Sequence, residues 1–143
     1  MDDSEITDLL KQAKTIAVVG FSPKAHRPSY FVARFLQSQG YRVLPINPLL
    51  AGQQSGLPGE EAYSDLATAR EKTGLAIDIV DVFRRSEYTP EIARQAAGIR
   101  ASCVWLQQGI LNDEVVRICE PAGVKVVMDA CLKTEHQRLM ASL

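Results

Sequence analysis

The chain is short of the residues that most often carry chemistry, with three cysteines and two histidines in 143 residues. Cys103, Cys119 and Cys131 form no C-x-x-C pair, and their odd number argues against a disulfide framework. His26 and His136 stand at no short ligand spacing from them, so no metal site is expected. No apolar run nears the ~20 residues needed to cross a bilayer. The stretch Met1-Asp2-Asp3-Ser4-Glu5 is acidic where a secretory leader would be basic, so a cytoplasmic location is expected. Sixteen basic against seventeen acidic residues leave a net charge of -1, which excludes a global positive field drawing the chain to nucleic acid or to a membrane surface. Any affinity for anions must be local. Two phosphate signatures are missing as well. No G-x-x-x-x-G-K-[ST] stretch occurs, and the next glycine after Gly20 is Gly40, so the three-glycine fingerprint of ordinary dinucleotide sites is absent. No Ser-His-Asp or Cys-His-Asn set is evident, and no catalytic residue is assigned.

What is present is a strong alternation of strands and helices. A hydrophobic content of 46% in a chain of this length fits one domain, residues 1–143, with a full core. Ile6, Leu9, Leu10 and Ala13 give residues 4–13 a helical stripe. A strand, Thr15 to Gly20, leads to a helix over about Pro28–Gln39, opened by its proline and stopped by Gly40. Further strands are expected at Tyr41–Ile46, near Glu61-Ala62-Tyr63, at Ala76–Phe83, Ser102–Leu106 and Val124–Met128. Between them, helices are expected from Ser64 or Asp65 to Glu71, after Thr89 as N-cap, and after Asn112 as N-cap. A last helix spans Leu132–Met140. Repeated βαβ units with right-handed crossovers imply an α/β, Rossmann-like doubly wound parallel sheet of strand order 3-2-1-4-5-6. Ligands of such sheets bind beyond the carboxyl ends of the strands, where the order reverses.

That rule selects which loops to read. After the first strand, Gly20 permits close backbone approach, and the helix beginning at Pro28 offers unpaired N–H groups and a positive dipole end to an anion. Arg27 precedes that helix directly, and Lys24 stands nearby. Where an NAD site usually places an acid, this chain has Asn47-Pro48. An acid there would repel a 3′-phosphorylated ribose, so Asn47 suits coenzyme A better than NAD, although Asn-Pro is equally a plain turn starter. Arg84 and Arg85 follow the Ala76–Phe83 strand, where a guanidinium fork can hold phosphate or simply be solvated. Gln107, Gln108 and Gly109 offer amides and a flexible backbone to neutral polar groups, and serve loop capping equally well. Trp105 and His136 read as core residues. Cys131, beside the start of the last helix, is either a reactive thiol or core packing. Asp78 and Asp81 are expected on one strand, pointing to opposite faces, and so do not form a carboxylate pair.

Six runs in order then carry a resemblance. They are Val18-Val19-Gly20-Phe21-Ser22, Arg27-Pro28-Ser29-Tyr30, Gly40 through Pro48, Asp81-Val82-Phe83-Arg84-Arg85, Val104-Trp105-Leu106-Gln107-Gln108-Gly109-Ile110, and Val127 through Cys131 with Glu135-His136. Together they resemble the small stand-alone CoA-binding proteins, similar in turn to the amino-terminal domain of the succinyl-CoA synthetase alpha subunit. The resemblance implies that coenzyme A or an acyl-CoA is the ligand. It places the CoA phosphates near Gly20, Phe21, Ser22, Pro23, Lys24 and Arg27, the nucleotide end near Asn47 and Pro48, and the pantetheine near Phe83, Arg84, Gln107 and Gln108. One departure is Ala130, where the family commonly has an arginine before the cysteine. The synthetase's phosphoryl-transfer parts lie outside this domain, so a binding module without ligase activity is expected. Two alternatives are a small enzyme or redox protein acting on CoA thioesters or the CoA thiol through Cys131, and a regulatory module whose nucleotide site stabilises its fold. Acyl specificity and any protein partner are left open.

Overall fold

The computed structural model describes residues 1–141. Five strands, β1 (Thr15–Val19), β2 (Arg42–Ile46), β3 (Ile79–Val82), β4 (Cys103–Leu106) and β5 (Lys125–Val127), form one parallel sheet in the order β2-β1-β3-β4-β5. Six helices alternate with them: α1 (Asp3–Gln12), α2 (Pro28–Ser38), α3 (Leu66–Thr73), α4 (Thr89–Gly98), α5 (Asp113–Cys119) and α6 (Leu132–Met140). None of the described helices is long and apolar enough to cross a membrane.

Because both faces of the sheet are covered, its strands read as continuous apolar runs rather than alternating ones. Ile16 and Val18 turn into a core shared with Leu10 of α1, Val32 and Leu36 of α2 and Leu132 of α6. Their neighbours Ala17 and Val19 turn the other way, into a core with Leu66 of α3, Ala93 of α4 and Val115 of α5. The two-residue period of a strand therefore divides one sequence run between two cores.

The sheet has five strands, not six. Residues 61–63 form only isolated bridges, among them Ile46 to Tyr63 in parallel. Tyr63 donates its N–H to the Pro45 carbonyl at 3.0 Å and receives the Asn47 N–H at 2.9 Å. Extending this pairing towards Glu61 would need an N–H on Pro45, which proline lacks. In the other direction Asp65 already caps α3 by accepting the Thr68 N–H. Removing that segment from the expected order leaves the observed one.

Two further boundaries move for local reasons. The N-cap of α4 is Tyr88 rather than Thr89, because Thr89 is helical and its hydroxyl donates to the Ser86 carbonyl of the preceding 3-10 turn. β3 begins after Asp78, whose carboxylate accepts the backbone N–H groups of Lys14 and Thr15 and so anchors the entry to β1.

Candidate functional site

The carboxyl ends of β1, β2, β3 and β4 open into one cleft of about 1190 Å³. The reversal of strand order between β1 and β3 creates it, because the connections leave the sheet towards opposite faces there. Gly20, Phe21, Ser22, Lys24, Arg27, Asn47, Pro48, Phe83, Arg84, Gln107 and Gln108 all line it. Pro23 is the exception. It packs outside the cleft wall, where its Cβ lies 3.2 Å from the place a side chain on Gly56 would occupy.

Each wall is built by specific local bonds. Gly20 has φ +83°, and a Cβ there would meet the Phe83 carbonyl and, at 3.0 Å, Arg84 Cδ. The glycine thus lets the β1 and β3 loops touch each other, a demand of the fold itself. Ser22 donates its backbone N–H to Ser29 Oγ at 2.9 Å, drawing the loop onto the first turn of α2. Arg27 is the N-cap residue of α2 and makes no side-chain cap, so its guanidinium is not spent on the helix end. Both ends of the Asn47 amide are engaged by the protein, with one N–H left over. Its amide donates to the Phe21 carbonyl and its oxygen accepts the Leu49 N–H, both at 2.9 Å.

On the β3 side, the Arg84 guanidinium lies 4.5 Å from the Tyr88 ring centroid, which holds an exposed cation at the rim. Arg85 reaches Glu87 at 3.8 Å. Gln107 donates its amide to the carboxyl of Asp81, which is completely buried in β3. Burial pushes the Asp81 carboxyl well above the usual carboxylate range, and the Gln107 hydrogen bond opposes that shift only in part.

Some lining residues come from a helix rather than from the loops. Glu91 and Gln95 stand on α4, one turn apart, and in the loop after β2 Leu49, 88% exposed, lines the cleft beside Asn47 and Pro48. An i, i+4 polar pair within a helix that carries proline in its first turn is the sequence signal for the first two. Cys131 also lines the cleft, as the half-buried N-cap residue of α6. Cys103 and Cys119 are buried, and burial raises their thiols to about 12 and about 11.

His136 sits apart from the cleft, edge-on to the rings of Phe35 and Tyr41 at 5.4 and 5.7 Å, and burial lowers its pKa. Trp105 is a core residue whose indole N–H donates to the Ala130 carbonyl at 2.9 Å. Among the described residues no three His, Cys, Asp or Glu side chains gather as a metal site would require. The site therefore combines cations at its mouth, a helix start on one wall, neutral amides on another and an apolar floor of Val19, Ile46 and Val82. Such a cleft can hold an anionic head and a long neutral arm together.

A family model described as a CoA binding domain matches residues 14–137. The uncharacterized protein YneT of Bacillus subtilis (strain 168) is 38% identical over 133 residues, 93% of this chain and 93% of that protein. A solved Thermus thermophilus structure, cell-free ID.343, superposes with a TM-score of 0.88 at 41% identity, over 97% of this chain and 99% of that one. The fold recurs in the dinucleotide-forming acetyl-coenzyme A synthetase 1 of Ca. Korarchaeum cryptofilum, at a TM-score of 0.64 and 21% identity, over 80% of this chain and 25% of that one. At that identity the likeness is one of fold.

Proposed function

The chain belongs to the CoA-binding domain family, and from that premise we propose that its cleft binds coenzyme A or an acyl-CoA without ligase activity of its own. The observation carrying the reading is the meeting of Lys24, Arg27 and Arg84 with the start of α2 at a switch point whose β2 end is neutral. Cations and helix N–H groups suit phosphates, and Asn47 in place of an acid leaves a phosphorylated ribose unopposed. The phosphates lie against Gly20, Ser22, Lys24 and Arg27, and the nucleotide end against Asn47 and Pro48. The pantetheine then runs past Phe83 and Arg84 towards Gln107 and Gln108.

Calorimetric titration with CoA, dephospho-CoA, NAD and FAD tests this. CoA is expected to bind most tightly, dephospho-CoA more weakly, and added salt to loosen the complex. Arg27→Ala is expected to lose roughly 1.5–3 kcal/mol of affinity, the worth of a charged hydrogen bond. Equal, salt-insensitive affinity for NAD and CoA would overturn the reading. A second reading, thiol chemistry on the same ligand, is favoured by one observation: Cys131 lines the cleft while the other two cysteines are buried.

A further inference from the structure

Asp81 is an anomaly of the β3 strand. Its neighbours Ile79, Val80 and Val82 are apolar, and in register it faces Val18 of β1 and Trp105 of β4, both fully buried. By packing alone a valine or leucine would be preferred at this place, because a buried polar group must find partners or cost stability. Asp81 has one partner. Its Oδ1 accepts from Gln107 Nε2, and its Oδ2 has none among the described residues.

Gln107 lies just past the end of β4, half-buried, on the cleft wall. A primary amide has a donor end and an acceptor end, so a partner that takes the donor end decides which end is left for a ligand. We propose that Asp81 is a positioning residue: by accepting an N–H from Gln107, it leaves the Gln107 carbonyl oxygen to the cleft, making that wall an acceptor for the amide N–H groups of a pantetheine arm. The inference rests on the coenzyme A reading of the cleft. The neutral form of the acid, which burial favours, still accepts through one oxygen, so the arrangement needs no buried charge. With an apolar residue at 81, Gln107 would be free to present either end.

The test compares two ligands on the full chain by calorimetry: CoA, and adenosine 3′,5′-bisphosphate, which keeps nucleoside and phosphates but has no pantetheine amides. Asp81→Leu is expected to weaken CoA roughly three- to tenfold, the worth of one neutral hydrogen bond, and to leave the bisphosphate unchanged. Asp81→Asn, which copies the shape and acceptor of the neutral acid, is expected to hold CoA within about twofold of the wild type. Loss of both ligands alike, no loss of CoA, or an Asp81→Asn variant as weak as Asp81→Leu would each overturn the proposal. Should Asp81→Leu fail to fold, Gln107→Leu carries the same comparison, and equal effects on both ligands again reject it. Nuclear magnetic resonance of the ligand-free wild type and Asp81→Asn supplies a separate readout, because Gln107 side-chain amide protons held by residue 81 exchange slowly. Fast exchange would overturn the positioning role. If the wild type binds neither ligand, the coenzyme reading fails and the pantetheine assignment with it, while the exchange rate still decides whether Asp81 orients Gln107.

Discussion

Asn47 donates its side-chain amide to the Phe21 carbonyl and accepts the Leu49 N–H, each at 2.9 Å, so one residue ties the loop after β1 to the turn after β2. The neutral residue at the end of β2 is thus the clasp between the two loops that line this side of the cleft.

Asn47→Ala removes both bonds. A loss of about 1–2 kcal/mol in unfolding free energy is expected from one half-buried and one exposed hydrogen bond, together with weaker CoA binding. Denaturant unfolding beside a CoA titration checks it. Unchanged stability would mean that the loops hold their places without the clasp.

Gly20→Ala places a Cβ against the backbone carbonyl of Phe83 at φ +83°. Strain and overlap together are expected to cost about 3 kcal/mol or more. Gly40→Ala is the control, since φ is +95° there but no atom beyond its immediate chain neighbours lies within 4 Å of the added carbon. It should cost only the strain, about 1–2 kcal/mol. Equal thermal shifts in the two variants would contradict the account of Gly20.

Asp81 links stability to pH. Its folded pKa stands above the unfolded value near 3.8, so below that value the acid is neutral in both states. As pH rises, the unfolded chain releases the proton first, and stability falls until the folded pKa is passed. Cys103, buried beside it on β4, is raised to about 12 and does not titrate in this window, and Gln107 is neutral. Asp81→Asn is therefore expected to gain on the wild type as pH climbs from about 4, and to lose that advantage in more acidic solution. A difference independent of pH would show that burial does not hold the acid protonated.

Cys131 should be the first thiol alkylated. It lines the cleft half-buried, whereas Cys103 and Cys119 are buried with raised pKa values, and thiolate and access both govern the rate. Brief iodoacetamide treatment with peptide mapping is expected to mark Cys131 alone, with protection by CoA. Labelling of all three together, only on unfolding, would return Cys131 to the core and remove the basis for thiol chemistry in the cleft.

Much of this protein is written locally. Pro28 and Leu132 mark the starts of α2 and α6, and Gly40 follows the end of α2, because proline, glycine and the 3.6-residue stripe act within a few residues of themselves. The alternation of strand and helix likewise implied the parallel doubly wound sheet and, through the switch-point rule, the loops that meet in the cleft. Tertiary structure decided the rest. A missing N–H on Pro45 reduces an expected strand to a bridge, and Phe83, not a ligand, explains why residue 20 must be glycine. Asn47 spends its amide on Phe21, and Asp81, which by sequence is only half of a mismatched carboxylate pair, becomes the partner of Gln107. Each of these pairings joins segments far apart in the chain. Hydrogen bonding and steric contact act over a few ångströms, and only the folded sheet brings such residues within that range.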